Sequence, residues 1–249
     1  MKKNKKQKNM KTQLILIAMI GVIMMTLVLL ETKITVADPT GATITSNTTA
    51  STPTYTADNR SDAGGTINTM ILNITQQNNN WKAYLGNLTG VLTLDDSNGK
   101  SIYQWAMSNT DLTGEVYAAK VSNPTWSTIN CSTQANITAE DTIIGFTATS
   151  IDSINETFNE TTHNPIMIAG RNMTSCRSTS TYVSDAKQAQ ASAYFQEVLL
   201  TSGSSNIIYA SPINQGKASY NDGLVDFQMM LADDVTTAIT TYYFFVELG

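Results

Sequence analysis

Histidine occurs once in this 249-residue chain, cysteine twice, and charged side chains make up only 14% of it. Each shortage narrows the chemistry. A Ser-His-Asp or Cys-His mechanism would have to run through His163, which sits in Thr162-His163-Asn164-Pro165 and reads as a solvated loop residue. A zinc centre draws three or four ligands from His, Cys and carboxylates, and Cys131 and Cys176 lack the CxxC spacing, so neither metal nor cofactor is expected. Soluble domains usually carry about 25% charged residues; here Thr, Ser and Asn fill the polar positions. The chain has no internal repeat. Catalytic residues are not expected, and the reading is of a protein that is not an enzyme.

The charge that is present is unevenly placed. Lys2, Lys3, Lys5, Lys6, Lys8 and Lys11 form a basic head, followed by an uncharged apolar run that opens at Leu14 and closes at Leu30. Basic first and apolar second is the order of a signal peptide or signal-anchor, with the lysines retained in the cytoplasm. As a helix the run is roughly 25 Å long, short of a hydrocarbon core of about 30 Å but longer than the ~7–15 residues of a signal-peptide core. Thr35-Val36-Ala37 supplies small residues for cleavage before Asp38, so a secreted product and a membrane-anchored one both stand, the latter with the membrane as partner through Leu14–Leu30. A lipoprotein anchor is excluded because no Cys lies near the end of the run, and a type IV pilin is not expected because no Gly-ending processing site precedes it. Seven of the 15 basic residues and one of the 20 acidic ones precede Asp38, leaving 8 against 19 and a net charge of −11 beyond it. Such a region does not bind nucleic acid by neutralising phosphates.

Residues 1–37 thus read as a signal or anchor segment, 38–65 as a flexible Thr/Ser-rich linker, and 66–249 as an all-β ectodomain, an antiparallel β-sandwich of many short strands. The first strand is expected over 66–75, TINTMILNIT, with Met70, Leu72 and Ile74 facing inward. One bent strand or a tight pair is expected over 81–94, with Gly86 and Gly90 at the bend, and then a turn at Asp95-Asp96-Ser97-Asn98-Gly99 returns a partner strand over 101–107. Further strands are expected over 115–121, 142–149, 165–170, 206–210, 223–231 and 238–248, with a polar loop over 150–164. The stretch 184–200 reads as a helix capped by Ser184 at its start and equally as a strand at its end. The C-terminal strand must pair within the fold or present an edge to a neighbouring chain.

In the oxidising compartment that the N-terminal segment implies, Cys131 and Cys176 are expected to form a disulfide, whose loop closure would contribute roughly 4 kcal/mol. Sequons fall at Asn47, Asn59, Asn73, Asn87, Asn130, Asn136, Asn155, Asn159 and Asn172, candidates for glycosylation; composition alone would generate several of them. The acidic pairs Asp95-Asp96, Glu140-Asp141 and Asp233-Asp234 are expected to serve acidic turns rather than glycoside hydrolysis. Oxygens of Asp95, Asp96, Ser97 and Asn98 would suit Ca²⁺, but a turn already explains them. Trp81 and Trp105 read as core, and Trp126 as a cover for the disulfide.

Through Gly86-Asn87-Leu88-Thr89-Gly90, Glu115-Val116-Tyr117-Ala118, Asp226-Phe227-Gln228 and Thr240-Thr241-Tyr242-Tyr243-Phe244-Phe245-Val246-Glu247-Leu248, residues 66–248 resemble a group of archaeal surface proteins with an N-terminal apolar segment and a Thr/Asn-rich β ectodomain. The resemblance implies location and architecture and carries over no functional residue. The expected role is a structural or adhesive protein of the cell surface, a surface-layer or filament component that associates with itself or with other surface proteins. The alternative is a carbohydrate- or ligand-binding module with glycans as partners. No binding residue is assigned for either.

Overall fold

A computed structural model describes residues 38–50, 52–105, 112–147, 149–203, 206–234 and 239–249. The segment 1–37, with the expected apolar helix from Leu14 to Leu30 and its cleavage site, lies outside the described residues. Among the described residues no helix is long and apolar enough to cross a membrane.

The protein is mostly β, and its sheets are antiparallel. The largest has seven strands: β1 (Thr40–Gly41), β5 (Gly114–Ala119), β6 (Ile129–Cys131), β9 (Ser178–Ser180), β10 (Gln196–Ser202), β11 (Ile207–Pro212) and β15 (Tyr243–Leu248). Their order is β1-β15-β5-β11-β10-β6, with β9 also paired to β10. Alternation along the central strands divides the core. Val116, Ala118, Leu199, Ile207 and Tyr209 point into one cluster, and Tyr117, Ala119, Val198, Leu200, Ile208 and Ala210 into another. Because both faces are covered, every residue of β10 is buried, the pattern of a central strand rather than a half-exposed one.

Two helices and a two-stranded ribbon cover the first face. The ribbon pairs β2 (Trp81–Gly86) with β14 (Phe227–Ala232) and contributes Met229 and Leu231. Helix α1 (Gln134–Ile143) contributes Ile137, while α2 (Ile154–Thr157) and the residue after it contribute Ile154 and Phe158. The second face is covered by Trp126, by Ile129, and by the hairpin of β7 (Ile166–Ile168) and β8 (Arg171–Met173). The expected disulfide joins Cys131 to Cys176, with Cα atoms 4.9 Å apart, and ties β6 to the segment leading into β9. Trp126 lies in the same cluster and packs on Tyr117 and Phe245 at 5.3 and 5.2 Å. Two short pairs complete the fold, β3 (Leu92–Asp95) with β4 (Ser101–Trp105) and β12 (Lys217–Ala218) with β13 (Leu224–Val225).

Several elements differ from the sequence reading. No strand forms over 66–75; the segment lies without secondary structure and its apolar side chains face solvent. The stretch 81–94 is neither one bent strand nor a pair, because β2 joins β14 while β3 joins β4. The expected strand over 142–149 is the end of α1 and the turn after it. Thr133 and Asn136 form a reciprocal capping box at the start of that helix. At its end Gly145, with φ +83°, makes a Schellman closure, in which Phe146 N–H bonds Asp141 O and Gly145 N–H bonds Thr142 O. The polar loop over 150–164 contains α2. Ser184 caps no helix: it and Asp185 take φ +50° and +56° in a tight turn, and the strand alternative at the end of that stretch is β10. The C-terminal strand is internal, paired to β5 on one side and to β1 on the other. Its end runs so close to Gly114 (φ +121°) that a Cβ there would collide with Glu247 O.

Candidate assembly surface

The ribbon has two unlike edges. In its register Phe227 opposes Gly86, Met229 opposes Tyr84 and Leu231 opposes Lys82, and Asp233 N–H bonds Asn80 O. Antiparallel pairing alternates, so Gln228, Met230 and Ala232 turn their backbone groups away from β2. Side chains from the large sheet and from Tyr242 take up three of those groups. Ser211 Oγ donates to Gln228 O at 3.0 Å, Met230 N–H donates to Glu197 Oε2 at 2.9 Å, and Tyr242 OH donates to Ala232 O at 2.8 Å. On the far side of β2, the backbone groups of Trp81, Ala83 and Leu85 meet no partner among the described residues. That edge is open.

Beside it lies a cleft of about 400 Å³, lined among others by Ala83, Leu85, Met230, Tyr182, Tyr220 and Lys187. Its floor is braced by Gln228, whose Nε2 donates to Thr181 Oγ1 at 2.7 Å and whose Oε1 accepts from Tyr220 N–H at 2.9 Å. Glu197 is wholly buried, and burial holds its carboxyl well above the ordinary range despite the Met230 N–H bond.

Two further features display apolar surface. Within 66–75, Ile67 and Ile71 are 99% and 98% exposed, and Leu72 and Ile74 are each 83% exposed. The β3–β4 hairpin turns at Gly99 (φ +72°), as the Asn-Gly sequence predicts, and Asp96 Oδ1 accepts from Asn98 N–H and Lys100 N–H. Yet it shows Val91, Leu92, Leu94, Ile102, Tyr103 and Trp105 to solvent, the last two ring to ring at 5.0 Å. Trp105 is therefore not core. Trp81 is, in part: half-buried, it stacks on Phe146 and Phe158 at 6.3 and 6.2 Å.

The other singled-out residues have structural roles. Glu140 and Asp141 are buried in helix α1 rather than in an acidic turn: Glu140 pairs with Lys120, and Asp141 holds the start of α2 by accepting from Ile154 N–H at 2.7 Å. Asp233 pairs with Lys82 at 3.1 Å, and Asp95 Oδ1 accepts from Ser101 Oγ. No group of three or more His, Cys, Asp and Glu suited to a metal occurs among the described residues. His163 is not a free loop residue. Its Nε2 accepts from Cys176 N–H at 2.9 Å and its Nδ1 donates to Asn164 O at 2.7 Å, so it braces the disulfide.

The sequons divide by position. Asn47, Asn59 and Asn73 lie in the exposed stretch after β1, Asn87 follows β2, Asn159 follows α2, and Asn172 faces outward on β8. Asn73 and Asn87 are thus outside strands. Asn130, Asn136 and Asn155 have engaged side chains: Asn130 Nδ2 donates to Thr128 O, Asn136 belongs to the capping box, and Asn155 Oδ1 accepts from Arg177 at 2.8 Å.

One buried acid cluster escaped sequence reasoning. Glu115 and Glu247 are cross-strand partners on β5 and β15. Glu115 accepts from Met167 N–H, while Glu247 accepts from Ala169 N–H and from Tyr117 OH at 3.2 Å. Burial first, and then the charge of Glu247, push the Glu115 carboxyl up to about 7, against the Met167 and Tyr117 bonds. Burial also raises Glu247 and the Tyr117 hydroxyl. This cluster anchors the β7–β8 hairpin to the sheet.

No protein-family model, characterised protein or solved structure matches this chain.

Proposed function

We propose that this chain is a non-enzymatic structural or adhesive component of an extracellular surface, assembling into a layer or filament. The observation that carries this reading is the set of exposed apolar side chains on 66–75 and on the β3–β4 hairpin. Exposed apolar patches of that extent mark surfaces that associate. On this reading the fold is a β-sandwich in which the large sheet is one layer and the β2–β14 ribbon is an incomplete second one. The disulfide suits an oxidising compartment, the basic head and apolar run direct the chain to a membrane, and the outward sequons suit a glycosylated exterior. The resemblance to archaeal surface proteins agrees with this placement. Intact-mass spectrometry of the protein from its own cells, combined with light scattering, tests it. The expected result is a glycan mass excess, a two-proton loss relieved by reduction, and concentration-dependent oligomers. A monomer at high concentration without excess mass would sink it.

A second reading has its own observation. The cleft presents Tyr182 and Tyr220 beside the Gln228 amide and the hydroxyls of Thr179, Ser180 and Thr181, a set suited to sugar stacking and hydrogen bonding. A glycan array with no hits would remove it.

A further inference from the structure

We infer that residues 66–75 are a strand held out for a second copy of this chain, and that they complete its ribbon along the open edge of β2. The inference rests on the assembly reading and names its contact. The segment TINTMILNIT alternates like a strand and carries no charge, yet no described residue pairs with it. The acceptor is equally incomplete: Ser211, Glu197 and Tyr242 cover the outer edge of β14 with three bonds, while among the described residues the N–H and C=O groups of Trp81, Ala83 and Leu85 on β2 have no match. An added strand supplies both sets of backbone bonds, and the cleft beside Ala83 and Leu85 receives alternate side chains from it. Ten residues extend about 33 Å, enough to run the six residues of β2, which span about 20 Å.

The donor belongs to a neighbour because its own connection is already engaged. Only residues 76–80 separate the segment from β2. Within them Asn78 and Asn80 both donate to Asp152 Oδ2, at 3.1 and 3.0 Å, and Trp81 Nε1 donates to Asp152 O at 2.8 Å. That link bends at 79–80, where Asn78 Oδ1 accepts from Asn80 N–H at 2.8 Å, and is fastened to the loop before α2, leaving the segment unpaired with β2 among the described residues. Donation from each copy to the next is a head-to-tail contact, which propagates into an open chain unless the rotation closes a ring.

The test uses the full-length chain in two versions, Leu72→Cys and Ala83→Cys, mixed and oxidised, beside a third carrying both changes. The expected result is a covalent dimer in the mixture that neither version gives alone. A second pair, Leu72→Cys with Leu85→Cys, covers a register shifted by two residues. Leu72→Asp with Ile74→Asp alters only exposed side chains and is expected to weaken self-association about tenfold or more by light scattering. An intrachain bridge in the double-cysteine version, with no dimer in the mixture, would overturn the inference by showing a self-completed ribbon. Oligomers that persist unchanged in the Asp variant without cross-links would overturn it too, while leaving the assembly reading in place. An unmodified chain that stays monomeric at high concentration would overturn both.

Discussion

Strand β10 and the segment 66–75 are both uninterrupted β-prone stretches, and they meet opposite fates. β10 has β11 on one edge and β6 and β9 on the other, and it is buried along its whole length. Among the described residues the segment has no strand partner, and its isoleucines stand almost fully in water. The difference is not in propensity. A strand is stable through partners on its edges and packing on its faces, and only the first stretch has both.

The sharpest way to press that contrast is to make the same change in both places. Leu200→Ala removes a fully buried side chain from β10 and is expected to cost about 2–5 kcal/mol in denaturant unfolding. Reduction of the Cys131–Cys176 bridge, followed by the same unfolding measurement, should cost about 4 kcal/mol at most, since it frees a loop with a sequence separation of 45. The Glu115 carboxyl gives a smaller and pH-dependent effect. Its folded value of about 7 lies above the ordinary 4.5, so its contribution is complete below about pH 4.5 and is lost as pH rises through 7. Glu115→Gln should flatten that decline, altering stability at pH 8 relative to pH 4 by on the order of 2 kcal/mol; an unchanged pH profile would remove the buried acid from the account. Leu72→Ala comes last, with a change within about 0.5 kcal/mol in the monomer. A large loss there would mean that 66–75 packs on its own chain.

What could be read from the sequence was what local chemistry decides. The Asn98-Gly99 turn, the disulfide pairing and the dominance of antiparallel β followed from two cysteines, turn residues and β-branched runs. Helix α1 did not, because Thr142-Ile143-Ile144 and Phe146 read as strand. The opposing signals were there, in Thr133 and Asn136 at one end and Gly145 at the other. The segment 66–75 was legible as strand-like and illegible as unpaired, since pairing depends on which distant edge is free. The same holds for the candidate surface. The outer edge of β14 is covered by Ser211, Glu197 and Tyr242, residues whose positions relative to β14 no spacing rule encodes.

Strand β1 is held to β15 by Thr40 opposite Val246 and Gly41 opposite Phe245, with one further bond from Ala42 N–H to Phe244 O. Behind it run about 40 residues before β2, most of them without secondary structure. Under load from its N-terminal side, the protein would meet that short clasp first. Its two residue pairs would peel before the central strands, paying out about 80 Å of chain between β1 and the segment 66–75 before any tension reached that segment. A clasp of two pairs would thus release before the core sheet, whose central strand β10 is paired on both edges and buried along its length.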